Sequence, residues 1–370
     1  MVPTLTFIYN EVVELSREHE VKVICNNHYL DEKFRFSNVV EIPFKYDFFC
    51  QKIVWYIEKF DFLMTRKNSK FKKKLQKTID SFDPDIIHLH FGYESIKFLD
   101  NFINHKKKPI FITFHGYDAS QKLRSNAYVK KLNFFLSNKN IVPICVSNFI
   151  KSNLIKAGLP MDASELLYCG INVDFFKRQT NKPHSDKFVF IQISTFNEKK
   201  GHIYTLKAFK IFLDRVHNKN NFKLVLAGGW LLFDQIKDEV IKMDLSNFVE
   251  FPGIVDHEQA RILLENANVL VHHSVTAGNG DTEGLPNGII EAMSMELPII
   301  STYHAGIPEL VEDGVNGYLV NERDINAYAN RMYDITSWNR QPKNREKVLE
   351  TFSIKSHNDN LVEIYKKHLI

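Results

Sequence analysis

The stretch Thr276-Ala-Gly-Asn-Gly-Asp-Thr-Glu283-Gly-Leu-Pro-Asn-Gly-Ile-Ile-Glu291-Ala-Met293 joins a glycine-rich loop to an apolar helical run. Pro286 suits the first turn of a helix, and a helix start after such a loop offers backbone N–H groups to a phosphate. Glu291 lies deeper in the helix and could accept hydrogen bonds from ribose hydroxyls, as acids do in dinucleotide folds. The stretch therefore predicts a site for a nucleotide-diphosphate sugar. On spacing alone, Glu283 as a helix cap and Glu291 as a surface acid remain the alternative.

Short β-branched runs alternate with helical patterns on both sides of this stretch, which is typical of parallel sheets covered by helices. The polar segment Lys177–Lys187 is the best boundary. We therefore expect an α/β fold with two doubly wound, Rossmann-like domains, residues 1–178 and 179–352, that face one another across a cleft. A helix at about 353–370 should pack back on the first domain. The predicted strands are Val21–Cys25, Asp85–His90, Ile110–Phe114, Ile144–Ser147, Phe188–Ile193, Lys223–Ala227, Val249–Phe251, Val269–His273 and Pro298–Thr302.

The composition is that of an ordinary globular protein, because 44% of the 370 residues are apolar and 25% are charged. The four cysteines show neither a close pair nor zinc-binding spacing, which favours reduced, mostly buried thiols. The sequence has no apolar run long enough to span a membrane and no signal-peptide pattern at its start. These features predict a cytoplasmic protein.

Positive charge is concentrated in one segment of the chain. Residues 66–77 contain seven Lys and Arg residues and no acid, and aromatic residues from Trp55 onward precede them. The region Trp55–Lys77 therefore predicts contact with an anionic membrane surface, on the inner face of the cell membrane; a solvated helix face is an equally good interpretation. Nucleic acid is not expected, because no nucleic-acid-binding motif accompanies the charge.

Several motifs of the chain resemble glycosyltransferase family 4. In the second half these are Glu283–Met293, Pro298–Thr302 and Ala305–Gly317, and in the first half Thr6–Glu11, Phe114–Asp118 and others. The family has the GT-B fold and a retaining mechanism, and its glutamates stand at the ends of an E-x7-E motif. The resemblance is strongest to the bacterial exopolysaccharide transferases of the colanic-acid and amylovoran type.

The resemblance implies roles for residues at the matching positions. Glu291 would hold the donor ribose, Glu283 would contact the donor sugar, and Lys200 would neutralise the diphosphate. His115 would lie near the transferred sugar, so the catalytic set is His115, Glu283 and Lys200. The loop residues that would also bind the donor are Gly284, Leu285, Pro286, Asn287, Thr195 and Gly229. The residues expected on the acceptor side are His90, Gly92, Gly116 and Asp118; for Asp118 a turn-forming role is an equally good interpretation.

The chain departs from the family pattern at two places. Ser194 and Thr195 stand where relatives carry Gly-Arg, so phosphate neutralisation should depend on Lys200, on N–H groups and on help from Lys199. Relatives also begin with a strand before the helix that starts here near Leu5, so the first strand of the N-domain is expected to be missing. That absence would expose backbone edges and remove acceptor-side loop residues.

Two sets of residues could suggest a metal site. Asp83 and Asp85 open a strand and lie away from the donor loop. The pairs His88 with His90 and His272 with His273 are expected to point to opposite faces of their strands. This favours hydrogen-bonded strand histidines, and the resemblance implies no required metal and no cofactor.

The expected function is sugar transfer, with retention, from a UDP- or GDP-sugar to a lipid-linked oligosaccharide or polysaccharide intermediate in surface polysaccharide synthesis. The protein would be cytoplasmic and peripheral to the membrane. Two alternatives stay open at this point. One is a sugar-nucleotide epimerase on the same fold, and the other is a catalytically impaired, glycosyltransferase-like scaffold.

Overall fold

The computed structural model describes residues 6–26, 35–43, 69–102, 108–179, 186–338 and 343–369. Contacts divide the chain into two units, one formed by Met1–Gly170 with His357–Ile370 and the other by Ile171–Ser356. Both units are built on parallel strands, as the alternation of strand and helix patterns predicts.

The described residues of unit 1 form two parallel sheets, one of order β1-β2 and one of order β3-β4-β5-β6. Strands β4 and β5 are buried along their whole length, which is why their sequences are almost entirely apolar. The C-terminal helix (Ile354–His368) packs Leu361 against Phe111 and Ile144 of these strands. The other elements of unit 1 are α1 (Thr6–Leu15), β1 (Val23–Cys25), β2 (Val39–Glu41), α2 (Ser69–Phe82), β3 (Ile87–His90), α3 (Gly92–Asn101), β4 (Ile110–Phe114), α4 (Asn126–Leu136), β5 (Ile141–Cys145), α5 (Asn148–Lys156) and β6 (Glu165–Leu166).

Unit 2 contains one parallel sheet of order β12-β11-β10-β7-β8-β9. Its elements are β7 (Phe188–Ile193), α6 (His202–Arg215), β8 (Phe222–Ala227), α7 (Phe233–Lys242), β9 (Val249–Gly253), α8 (His257–Glu265), β10 (Val269–His272), α9 (Asn287–Ser294), β11 (Ile299–Thr302), α10 (Ile307–Leu310), β12 (Gly317–Val320), α11 (Ile325–Ile335) and α12 (Asn344–Lys347). The chain crosses over between β9 and β10, so loops from β7, β8 and β10 meet at one edge of the sheet. In open α/β sheets ligands bind at such an edge.

The core of unit 2 is rich in aromatic side chains from β7 and α6. Phe190, Phe209 and Phe212 are fully buried in it, and the ring of Phe190 makes edge contacts with the other two rings. Tyr328 of α11 reaches the sheet, where its hydroxyl donates to the carbonyl of Ile300 and accepts from the amide of His272. This packing fixes the ends of β10 and β11, where the candidate site lies.

Two predictions about composition can be compared with the structure. Cys25, Cys145 and Cys169 are free, as predicted, and burial raises the pKa of Cys145 and Cys169 to about 12. Cys50 lies outside the described residues. Across the ranges that the structure covers, every helix is too short or too polar to cross a membrane.

Candidate active site

The carboxyl ends of β7 and β10 bring Lys200 and Glu283 together. Lys200 follows β7 in a short 3-10 turn, Glu198–Lys200, and its Nζ lies 2.8 Å from Oε1 of Glu283. Both side chains are largely buried, with 15% and 8% of their surface exposed. Burial alone would raise the pKa of Glu283, but Lys200 and Lys199 hold it down to about 2. Glu283 is therefore an ionised carboxylate that pairs with Lys200 inside unit 2, at the edge where a ligand would bind.

The turn before Lys200 also fixes the glycine-rich loop. Glu198 Oε1 accepts a hydrogen bond from the amide of Gly278 at 2.9 Å, and Lys199 Nζ lies 3.1 Å from the carboxylate of Asp281. Lys199, expected to assist with phosphate, is therefore bound to the loop. Lys200 is the member of the lysine pair that reaches the predicted sugar-contacting glutamate.

Gly201 ends this turn and starts α6 in a conformation that requires glycine. Its φ is 62°, and a Cβ atom there would lie 1.7 Å from the carbonyl oxygen of His273. This close approach lets the turn reach the end of β10. On the inner side, Gln192 of β7 donates from Nε2 to the carbonyl of Lys200 at 2.8 Å. The backbone that carries Lys200 is thus held from two sides.

Glu291 lies on α9, eight residues after Glu283 in the sequence. Its side chain is partly buried, and within the described ranges no side chain or amide donates a hydrogen bond to its carboxylate. Burial raises the pKa of Glu291 to about 7. A carboxylate without partners is well suited to accept hydrogen bonds from the hydroxyls of a ligand, because they would replace the water that it has lost.

The loop before α9 places the remaining predicted donor residues. Gly284 accepts a hydrogen bond at its carbonyl from the amide of Gly306, and Pro286 stands at the N-cap of α9. In the part of the chain that the structure describes, no side chain caps this helix, so Asn287 and the residue after it present amides at its N-terminus. Thr195 and Gly229 lie at the ends of β7 and β8, where the amide of Phe196 donates to the carbonyl of Gly229 at 2.7 Å.

Two residues that the sequence analysis did not select hold the glycine-rich loop from the other side. His304, just after β11, accepts a hydrogen bond at Nε2 from the amide of Glu283 at 3.2 Å. Its Nδ1–H therefore donates to Glu322, at 2.6 Å, and Glu322 also accepts from the amide of Thr276 at 2.8 Å. Burial would raise the pKa of Glu322, but His304 and Thr276 bring it down to about 2. Both residues follow strand ends, which is the signal that could have identified them.

Buried polar atoms without protein partners are concentrated at this edge. Among the described residues, no partner is found for either ring nitrogen of His272, for Oγ of Ser274, for Oδ1 of Asn197 or for Oδ1 of Asn287. Burial, and then Lys200, lower the pKa of His272 to about 3, so its ring is neutral. Native proteins satisfy most buried polar groups, and an orphaned group calls for an explanation. Here a polar ligand would supply the missing partners. The expectation of a hydrogen-bonded strand histidine is wrong for His272.

In unit 1 the carboxylate of Asp118 binds backbone amides at the ends of two neighbouring strands, β3 and β4. This fully buried carboxylate accepts hydrogen bonds from the amides of Gly92, His115 and Gly116 at 2.8, 3.0 and 3.0 Å. Asp118 therefore joins the turn after β3 to the turn after β4. Of the two interpretations of Asp118, this geometry favours the turn-forming one. Gly92 must lack a side chain, since a Cβ there would lie 2.4 Å from the ring of Phe114.

The expectation that His88 and His90 point to opposite faces is wrong. Residues two apart on a strand share a face, and the two rings stack with centroids 4.5 Å apart. With Glu11 of α1 they offer ligand atoms within 4.8 Å of one another. The ring nitrogens of His88 are already engaged by hydroxyls, with Tyr365 at 2.6 Å and Thr113 at 2.7 Å. That the chain requires no metal stays a prediction. His272 and His273 are adjacent in sequence, and His273 instead stacks on Tyr204.

The predicted membrane-contacting region is described only in part. Residues 44–68, which include its aromatic half, lie outside the described residues. The basic residues from Lys70 onward lie in α2, in which Leu75 and Ile79 are buried and Lys73 and Lys77 are exposed. Lys74 donates from Nζ to the carbonyl of Glu41 at 2.8 Å. The observed helix has one buried face and one basic, solvent-exposed face.

Comparison with known families agrees with this geometry. Residues 6–175 match the family model "Glycosyltransferase Family 4", and residues 172–350 match "Glycosyl transferases group 1". The chain belongs to the glycosyltransferases. Its two family matches meet close to the division between unit 1 and unit 2.

Two curated relatives of this chain are named for the biosynthesis of amylovoran and of colanic acid. The chain is 30% identical to the amylovoran biosynthesis glycosyltransferase AmsK of Erwinia amylovora over 253 residues, which are 67% of this chain and 60% of the relative. It is 28% identical to the putative colanic acid biosynthesis glycosyltransferase WcaL of Escherichia coli, over 59% of this chain and 53% of the relative. The matches therefore span less than two thirds of the length of these relatives.

Solved glycosyltransferase structures share the fold. A glycosyltransferase from Rickettsia africae superimposes with a TM-score of 0.72 at 18% identity, over 98% of this chain and 94% of that one. Anabaena HepE, solved in complex with UDP and glucose, superimposes with a TM-score of 0.65 at 20% identity, over 80% and 81% of the two chains. These similarities confirm the expected GT-B class of α/β fold.

Proposed function

We propose that this chain transfers a sugar, with retention, from a nucleotide-diphosphate donor to a hydroxyl of a lipid-linked glycan during surface polysaccharide synthesis. The observation that carries the proposal is the buried Lys200–Glu283 ion pair, 2.8 Å long, beside unpartnered polar atoms of His272 and Asn287. The names of AmsK and WcaL and the UDP and glucose bound to HepE support the same class of reaction.

The donor is assigned to the edge of unit 2. Glu291 accepts the ribose hydroxyls, the amides at the start of α9 and Lys200 receive the diphosphate, and Glu283 contacts the sugar. Thr195 offers a hydroxyl where relatives carry arginine, so Lys200 supplies most of the positive charge near the phosphates. A leaving diphosphate gains negative charge in the transition state, which a fixed cation and N–H groups stabilise.

The reaction proceeds by attack from the face that the diphosphate leaves. The acceptor oxygen forms a bond to the anomeric carbon while the bond from that carbon to the β-phosphate oxygen breaks. The proton of the acceptor hydroxyl passes to the departing phosphate oxygen. Because the new bond forms on the face from which the diphosphate departs, the configuration is retained. Because Lys200 provides the cation, we expect transfer to continue in EDTA without added metal.

Thermal-shift and calorimetric titrations with UDP, GDP and their sugars test the donor assignment. A ligand that binds only the native state raises its apparent stability. We expect binding of one of the two nucleotide classes, weakened by Glu291→Gln, and transfer to glycolipid slowed by Lys200→Met. Lys210→Met is the matched control, because that lysine is paired with Asp214 on the exposed face of α6.

The outcomes separate this proposal from its alternatives. Conversion of the sugar nucleotide without transfer would identify an epimerase. Nucleotide binding without either hydrolysis or transfer would identify a scaffold. Equal donor affinity and turnover in Glu291→Gln, Lys200→Met and the control would refute the site assignment.

We further propose that the protein is cytoplasmic and meets its lipid-linked acceptor at the inner face of the cell membrane. The exposed lysines of α2 support this, since each cation near an anionic surface contributes about 1 kcal/mol. Sedimentation with phosphatidylglycerol vesicles tests it: Lys73→Glu with Lys77→Glu should release the protein. Exposed Lys139 and Lys207, replaced by Glu, provide a control of equal charge change. Equal binding of the two double variants would contradict the role of α2.

A further inference from the structure

Three exposed apolar side chains lie at the carboxyl edge of the sheet in unit 2. Trp230 and Leu231, after β8, have 68% and 83% of their surface exposed, and Ile254, after β9, has 83% exposed. Gly229 lets the two loops meet, because a Cβ atom there would lie 2.8 Å from Cγ1 of Ile254. Contiguous apolar surface of this kind marks a place where a ligand or partner binds. We call these three residues the apolar edge.

Trp230 has a backbone conformation that favours glycine. Its φ is 117°, which is a rare value for a bulky side chain. The backbone on both sides is fixed by Phe196, whose amide donates to the carbonyl of Gly229 at 2.7 Å and whose carbonyl accepts from the amide of Leu232 at 3.0 Å. Strained residues that the surrounding structure holds in place are concentrated at ligand-binding sites. The strain therefore supports a binding role for the indole of Trp230.

The apolar edge is continuous with the candidate donor site. A Cβ atom at Gly288, in the first turn of α9, would lie 3.4 Å from the carbonyl oxygen of Ile193 at the end of β7. A Cβ atom at Gly228, just after β8, would lie 2.0 Å from the carbonyl oxygen of Ser194. The amides at the start of α9 and the loop that carries Trp230 therefore both lie against the end of β7.

The order of the strands gives a donor a direction across the sheet. In the order β10-β7-β8-β9, Glu283 follows β10, Lys200 follows β7 and Trp230 follows β8. Neighbouring strands are about 4.8 Å apart, so the ends of β10 and β8 are separated by about 10 Å. With the sugar at Glu283 and the diphosphate at Lys200, an extended donor carries its base toward β8. The base is the flat, least polar part of the donor, and the residues assigned above leave it without a partner.

We propose that the indole of Trp230, flanked by Leu231 and Ile254, is the stacking platform for the base of the nucleotide donor. The proposal rests on the proposed function and adds a residue for the base. Every base has a π-face, so stacking on an aromatic ring strengthens binding without selecting one base. The platform belongs to unit 2 alone, as do the groups assigned to the sugar and the diphosphate.

Trp230→Gly tests the platform by calorimetric titration with UDP and GDP. Loss of the indole should weaken nucleotide binding by roughly 5- to 150-fold, which is the contribution of one base–aromatic stack. The affinity for inorganic pyrophosphate, which has no base, should not change. The melting temperature of the unliganded variant should equal or exceed that of wild type, because glycine adopts this φ without strain. Trp230→Phe keeps an aromatic ring and should retain most of the nucleotide affinity.

Tryptophan fluorescence gives a second measurement that does not depend on sugar transfer. Bound nucleotide should quench the emission of the wild-type protein, and the quenching by saturating nucleotide should be lost in Trp230→Gly. Tyr333→Ala is the matched control, because it removes an aromatic ring that is 53% exposed on α11 and lies outside the strand-end loops. The control should bind nucleotide and be quenched as wild type is.

The outcomes distinguish the platform from the proposed function. Nucleotide affinity in Trp230→Gly equal to that of wild type would overturn the platform, as would an equal loss of pyrophosphate affinity. If wild-type protein transfers sugar while Trp230→Gly binds nucleotide normally, only the platform fails. If nucleotide binding depends on Trp230 but no sugar is transferred, the proposed function fails and the platform stands. If the wild-type protein binds neither UDP nor GDP, both proposals fail.

Discussion

Replacing Glu291 by Gln should stabilise the folded protein at neutral and alkaline pH. Burial raises the pKa of this carboxyl from 4.5 to about 7, so keeping it ionised in the folded protein is unfavourable. At about 1.36 kcal/mol per pH unit, the interval from 4.5 to 7 corresponds to about 3 kcal/mol of unfolding free energy. Glu291 is only partly buried, so solvent water reduces the free-energy penalty of its ionisation. We therefore expect Glu291→Gln to raise the unfolding free energy by about 1 to 3 kcal/mol.

The sign of the effect follows from the two states. Below pH 4.5 the carboxyl is protonated in both the folded and the unfolded chain, so its burial does not lower the unfolding free energy through ionisation. Between 4.5 and 7 the unfolded chain ionises while the folded one stays protonated, so wild-type stability falls relative to the variant. Above pH 7 both states are ionised, and the difference between the two proteins becomes constant.

Urea unfolding at pH 5, 6, 7 and 8 measures the difference between wild type and Glu291→Gln. The matched control is Glu296→Gln, in which the removed carboxylate is already exposed to solvent. Added UDP or GDP should reduce the difference in unfolding free energy between wild type and Glu291→Gln at pH 8, because ribose hydroxyls would stabilise the wild-type carboxylate. A stability difference that is the same at pH 5 and pH 8 would refute the argument that Glu291 is desolvated.

Three further substitutions test the geometry. Gly201→Ala should lower the calorimetric melting temperature, because the new Cβ would lie 1.7 Å from the carbonyl oxygen of His273; an unchanged transition contradicts that approach. Tyr328→Phe should lower the unfolding free energy by about 1 to 3 kcal/mol, since two backbone groups of the β10–β11 region lose their partner; equal stability in urea would disprove it. Asp118→Asn should speed amide exchange at Gly92 and Gly116, and unchanged exchange rates would exclude the turn-forming role.

The strands were largely predictable because the parallel sheets are buried on both faces. Ile110–Phe114 and Phe188–Ile193 are apolar except for Thr113 and Gln192, and the structure places β4 and β7 at those residues. Strand β12 was not predicted, because Gly317–Val320 directly follows a glycine-rich motif that is typical of a loop. The short strand β2, with residues that are only partly buried, gives no comparable signal.

The candidate site was predictable where its residues lie in one segment. The spacing of Glu283 and Glu291 is a local property, so the sequence alone indicates it. The hydrogen bonds of His304 and Glu322 with the glycine-rich loop depend on β11 and β12 being neighbours in the sheet. The order of strands in a sheet cannot be deduced from a local sequence pattern. The expectation that His88 and His90 point to opposite faces of their strand was wrong for a simple reason. Side chains alternate along a strand, so residues two apart lie on the same face.

Glu11 of α1 pairs with His357 of the C-terminal helix at 3.0 Å, and this pairing has a consequence for how the protein is made. The two residues are 346 positions apart, and the ribosome adds about 5 to 20 residues per second. Glu11 is therefore synthesised about 17 to 70 seconds before His357. All of Ile171–Ser356 is synthesised in that interval, so unit 2 can form most of its sheet while unit 1 still lacks its last helix. The unit whose synthesis begins first is the last to acquire its native charge pairing.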